Sequence, residues 1–163
     1  MKEYTFGGFW RRVLAALIDQ VILGGIQTLF FLLGAVAGIS GYSLDTSPMK
    51  GDVLTKSVAG IALLYYGFCI LLSMVYFTFF HGIGGRTPGK MAMSLKVMQA
   101  SGAEMTPGVA FLRWVGYIYS SLLFFVGYIW IAFDRRKQGW HDKIAGTVVI
   151  LKKEKYLDKD RDI

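Results

Sequence analysis

Residues 58–80 read VAGIALLYYGFCILLSMVYFTFF, and none of these positions carries a charge. The hydrocarbon core of a bilayer needs about 20 apolar residues of helix. A helix on the surface of a soluble domain would show a polar face within such a length, and this stretch shows none. It therefore decides the fold: the segment spans a membrane, and the chain is an integral membrane protein.

Two more apolar runs lie on either side. Residues 13–39, VLAALIDQVILGGIQTLFFLLGAVAGI, are interrupted only by Asp19, Gln20, Gln27 and Thr28. Residues 109–133, VAFLRWVGYIYSSLLFFVGYIWIAF, contain Arg113 near their start. Over all 163 residues the composition is 54% hydrophobic and 18% charged, with mean hydropathy +0.45, where soluble domains carry about a quarter charged residues. Lys2, Arg11 and Arg12 precede the first run, and Ala35-Val36-Ala37 imitates a signal-peptide cleavage site. The run is about twice the length of a signal core and holds Asp19, so a retained anchor is expected. Cys69 lies inside the second run, reads as a packing residue and has no cysteine to pair with.

The formal net charge of +7 raises nucleic acid as a partner, but the placement of the cations favours lipid. Three Lys or Arg precede the first run, two separate the first from the second, three separate the second from the third, one lies in the third and nine follow it. Cytoplasmic segments collect Lys and Arg. If the third run folds back so that both its ends face the cytoplasm, only Lys50 and Lys56 of the 18 cations lie outside.

Two strand-like segments agree with that arrangement. Within residues 91–98, Met93, Leu95 and Val97 alternate with Ser94 and Lys96, the period of a half-buried strand. Ser101-Gly102 follows as a turn, and Thr147-Val148-Val149-Ile150-Leu151 is a second, β-branched segment. Two lone strands are marginal, and pairing them puts them on the same side of the bilayer. At about 1.5 Å per residue, the third run is too short to cross twice. A re-entrant hairpin, bent near Ser120-Ser121 or Gly127 and shielded by neighbouring helices, satisfies both constraints.

The expected fold is an all-α polytopic membrane protein with three to four transmembrane or re-entrant helices and a small cytoplasmic β element. Residues 1–151 form the membrane domain and residues 152–163 a charged cytoplasmic tail. The expected location is the cell (plasma) membrane, with the N-terminus and basic tail cytoplasmic. Expected partners are a bilayer with anionic headgroups and a second copy or another membrane protein; nucleic acid is not expected.

Residues 84–91, GGRTPGKM, nearly spell a phosphate-binding loop: Gly84, Gly89 and Lys90 have the spacing, and Met91 replaces the hydroxyl residue. Such a loop joins a strand to a helix. Here a membrane helix precedes it, a strand is expected after it, and Pro88 removes an N–H donor. Nucleotide is therefore not expected. Thr87-Pro88-Gly89 reads as a tight turn, with Gly82, Gly84 and Gly85 easing the chain out of the membrane. Arg86 and Lys90 are expected to rest on anionic headgroups.

Asp19 is the most informative side chain. An acid at the centre of a membrane helix is unfavourable by about 2.5 to 3.5 kcal/mol, so it faces protein and has a partner or a task. Arg12, seven residues earlier, falls on the same helix face about 10 Å away, and Ala15 and Ala16 leave room nearby. Direct pairing needs a long reach; a water or another helix offers a bridge. Farther on, residues 134–147 read DRRKQGWHDKIAGT. Trp140 suits an interface, and Asp142 has partners in Arg12 or Arg113 if this segment folds against the helix ends. His141-Asp142 lacks a second carboxylate at ligand spacing, so no metal is expected.

The ordered set Phe9-Trp10-Arg11-Arg12, Ile18-Asp19, Arg86-Thr87-Pro88-Gly89-Lys90, Leu112-Arg113 and Gly139–Val149 resembles the RDD family, named for one arginine and two aspartates. Arg12, better spaced to Asp19 than Arg11, takes the arginine position, and Asp19 and Asp142 the aspartates, with Asp134 competing for the second. Arg113, Gly89 and Lys90 are the supporting residues. The resemblance implies a family proposed to transport unidentified ligands, with sodium/proton exchange credited to at least one member. On that expectation Asp19 carries a proton or small cation, Arg12 tunes it and Asp142 gates the cytoplasmic mouth. The alternative is a non-catalytic assembly factor or accessory subunit in which Arg12, Asp19 and Asp142 form a structural clamp. No nucleophile–base pair, metal cluster or cofactor loop points to an enzyme.

Overall fold

The computed structural model describes residues 5–44, 51–122 and 126–151. The tail expected over residues 152–163 lies outside them, as does Lys50. The two long apolar runs fold as helices α1 (Phe9–Leu44) and α2 (Gly51–Gly84). Both are long and apolar enough to cross a bilayer, over Phe9–Ala37 and Val58–Gly84. The chain divides into two compact units: Gln20–Tyr76, and the remainder, in which residues up to Asp19 join those from Phe77 onward.

In the first unit α1 and α2 meet through aromatic contacts, Phe30 on Phe68 with ring centroids 5.0 Å apart and Phe31 on Tyr65 at 5.5 Å. The Tyr65 hydroxyl donates to the Gln27 carbonyl at 3.3 Å. Most of the remaining apolar surface faces outward, with Leu63 and Leu64 each 76% exposed. That surface is unfavourable in water at about 25 cal/mol per Å2 and is at ease in hydrocarbon.

The second unit contains α3 (Pro88–Ala92), β1 (Leu95–Gln99), α4 (Pro107–Leu122), α5 (Val126–Phe133), α6 (Trp140–Ile144) and β2 (Thr147–Leu151). The expected strand pair is present: β1 and β2 run antiparallel, with Leu95 opposite Leu151 and Gln99 opposite Thr147. Residues 5–7 add a short third ribbon, Gly7 donating to the Val149 carbonyl at 2.9 Å and Leu151 donating to that of Thr5 at 2.8 Å. One face of the sheet buries Leu95, Val97 and Val149 against Ala15 of α1, Ala110 of α4 and Met105, which precedes α4. The start of α1, the end of α2 and both strands thus belong to one assembly.

The expected strand over residues 91–98 is corrected at its N-terminal half. Thr87 accepts the Lys90 N–H at 3.3 Å as a helix N-cap, and Pro88 opens α3. A Thr-Pro pair is a helix start, and here it takes residues 88–92, while the alternation holds as strand from Leu95 onward. The tight turn expected at residues 87–89 is therefore the first turn of a helix. The argument that no helix follows the GGRTPGKM run fails with it. Gly85 adopts φ +64, and a Cβ there would overlap the Val97 carbonyl.

The third apolar run is bent. α4 and α5 stand at 101° across residues 123–125, between the two positions expected for the break. The helices pack closely: a Cβ on Gly127 would lie 2.6 Å from Ser120 Oγ. Neither helix alone, at 16 and 8 residues, reaches the length of a straight crossing.

Candidate functional site

Among the described residues, the buried charges of the second unit sort into three groups. At the first, Asp142 of α6 is completely buried and gathers two guanidinium groups. Arg12, in the first turns of α1, donates Nη1 to Asp142 Oδ2 at 2.6 Å and Nε to the Gly7 carbonyl at 3.0 Å. Arg113, 1% exposed on α4, forms an ion pair with Asp142 Oδ1. It also donates Nη1 to Thr147 Oγ1 at 2.5 Å and Nε to the Tyr117 hydroxyl at 3.0 Å. Asp142 accepts the Gly139 N–H at 2.9 Å, which fixes the first turn of α6. Burial alone would raise the Asp142 carboxyl, but Arg113, with His141 and Arg12, holds it well below the usual carboxylate range.

One carboxylate thereby joins α1, α4 and α6, as expected if the late segment folds back. Asp134, the competing aspartate, lies elsewhere: it pairs with Lys143 at 2.7 Å and accepts the backbone N–H groups of Arg136 and Gln138.

The second group surrounds Asp19, which is 1% exposed. The Thr87 hydroxyl donates to Oδ2 at 2.5 Å, and the Gly89 N–H donates to Oδ1 at 2.8 Å. The Arg12 Nη1 and Nε donors turn to Asp142 and Gly7. The loop that imitates a phosphate-binding run binds an anion after all, and that anion is an internal carboxylate. Glycine is required at residue 89: a Cβ would overlap the Ala15 carbonyl and lie 2.9 Å from Asp19 Cγ.

Lys90 and His81 make the third. Lys90 does not rest at a surface; it is 8% exposed, and its Nζ lies 2.8 Å from His81 Nε2. Beside these groups His141 packs at a tilt between Tyr117 and Tyr128, with ring centroids 4.6 and 5.1 Å away. Burial pushes its imidazole down to about 3, so it is neutral at physiological pH.

Sequence reasoning missed Thr87, His81, Tyr117 and Thr147 as members of the site. Only Thr87 carried a usable signal, the Thr-Pro helix start. The family model for the RDD family matches residues 6–146. An uncharacterized protein of Bacillus subtilis, YxaI, is 29% identical over 89% of this chain and 97% of its own length. The uncharacterized membrane protein YteJ of the same organism is 27% identical, over 94% and 85%. A proline-rich antigen of Mycobacterium leprae is 27% identical over 91% of this chain and 61% of its own length. No solved structure matches the chain.

Proposed function

Because the chain belongs to the RDD family of membrane proteins, we propose that its Arg and Asp residues form a structural clamp in a non-catalytic membrane module that serves as an assembly or accessory subunit. One observation carries this reading. Asp19 and Asp142 each have both oxygens engaged by groups from other elements, α3 and its cap for Asp19, α1 and α4 for Asp142. Carboxylates so engaged are suited to holding elements in place. The reading assigns the cytoplasmic side of the plasma membrane to the strand pair and α6, in keeping with the Lys and Arg distribution. Arg135 and Arg136, both exposed, then face anionic headgroups. A second copy or another membrane protein is the partner this role requires.

The test is reconstitution into liposomes with an imposed ion or pH gradient. The clamp reading expects flux no greater than in protein-free vesicles, and lowered thermal stability in Arg12→Met and Asp142→Asn. Ion-dependent flux abolished by Asp19→Asn, in protein that still inserts and folds, would overturn it.

One observation favours the second reading, transport of a proton or small cation: a fully buried carboxylate inside a membrane-spanning helix. The same flux measurement decides between the two.

A further inference from the structure

Lys90 takes no part in the clamp, yet its amine is enclosed. His81 of α2 is bonded to it, and the charges that act on it are Asp19 of α1, Arg113 and Tyr117 of α4 and Asp142 of α6. His141 of α6 is close enough to be influenced by the Lys90 charge. The other nitrogen of His81, Nδ1, lies 2.8 Å from the Phe77 carbonyl oxygen. A carbonyl only accepts, so Nδ1 carries the ring proton and Nε2 offers its lone pair to Lys90. Two cations do not share a 2.8 Å contact inside a protein, because burial and mutual repulsion both disfavour the second charge.

We propose that the Lys90–His81 pair is a proton-binding site, holding one exchangeable proton between amine and imidazole while the clamp around it stays fixed in charge.

Two features support this. First, the contact outlives the proton: a neutral amine still has an N–H to give to Nε2, so release requires no rearrangement. Second, the clamp groups and His141 keep their charge state. Arg12 and Arg113 do not deprotonate. Asp142 is held ionised against burial by Arg113 and Arg12, and buried His141 is held neutral. Burial moves the Lys90 amine below the ordinary lysine range, and Arg113 adds to this, against the opposing influence of Tyr117, Asp19 and Asp142. A buried lysine is the side chain that shifts in this way most readily.

The proposal is independent of whether the module transports anything. Its test is a titration of the protein in nanodiscs, with 15N-labelled lysine, following the side-chain nitrogen signals from about pH 6 to 11 around the ordinary lysine value. One signal is expected to titrate below the others. It should vanish in Lys90→Met and move to a lower midpoint in His81→Phe, which removes the acceptor. Lysines that all titrate together in the unsubstituted protein overturn the proposal, as does a displaced signal that persists in Lys90→Met. If Lys90→Met fails to fold, a midpoint unmoved by His81→Phe is equally decisive against it.

Discussion

Gly89 gives its peptide N–H to the Asp19 carboxylate from 70 positions away, at 2.8 Å. With the Thr87 hydroxyl on the other oxygen, a loop and a membrane helix are joined by a carboxylate and two uncharged donors. Hydrogen bonds to a charged group contribute about 1.5 to 3 kcal/mol each.

That contact leaves no room for a methyl group. Gly89→Ala puts a Cβ against the Ala15 carbonyl and Asp19 Cγ, so α3 must retreat from α1 and the Asp19 bonds lengthen. Overpacking of this kind lowers stability by about 1 to 3 kcal/mol. Thermal unfolding in nanodiscs should show the loss; an unchanged midpoint would mean that the loop and helix are not held so closely.

Removing either partner of the clamp has unequal effects. Asp142→Asn keeps the shape and strands two buried guanidinium groups, whereas Arg12→Met leaves Arg113 on Asp142. Breaking a buried pair this way is unfavourable by about 3 to 5 kcal/mol, and Asp142→Asn should fall at the upper end, with Arg12→Met below it. Denaturant titration of both variants checks the order, and equal losses contradict it.

Acid should loosen the protein through His141 before it reaches the carboxylates. The folded imidazole titrates near 3, against about 6.5 in an unfolded chain. Between these values the unfolded chain binds more protons, so stability is lost as pH falls through this window, at up to about 1.4 kcal/mol per pH unit. His141→Phe retains an aromatic ring between Tyr117 and Tyr128 and should flatten the slope between about pH 6 and 4.5. Below about pH 4 the depressed Asp142 adds a loss of the same sign, which the variant keeps.

The pair between Lys143 and Asp134 serves as the contrast. Its 2.7 Å contact is nearly as short as the 2.6 Å bond between Arg12 and Asp142, but the lysine is 44% exposed. Lys143→Ala should change stability by no more than about 1 kcal/mol, and the residual effect should shrink in high salt.

What the sequence disclosed follows from how each force is encoded. Hydrocarbon burial is written directly in side chains, so the uncharged run at residues 58–80 announced a span without help. The pairing of β1 with β2 and the approach of Asp142 to Arg12 and Arg113 were also legible, since like patterns and opposite charges imply one another. The bond from Gly89 to Asp19 was hidden because a peptide N–H has no residue signature. Lys90 resembled any loop lysine, since nothing local reveals that His81 waits inside. At residues 87–92 the Thr87-Pro88 helix start decided the local structure, and the alternation prevailed from Leu95 onward.

The bond between Arg12 and Asp142 joins positions 130 residues apart. At ribosomal speeds of about 5 to 20 residues per second, on the order of ten seconds separates the synthesis of the two. During that interval the guanidinium enters the membrane boundary with its counter-ion not yet made, and Asp19 travels with it before Thr87 or Gly89 exists. Biogenesis must therefore shelter the nascent first helix, in the insertion machinery or with its polar groups drawn toward the lipid headgroups, until the downstream half arrives to neutralise it.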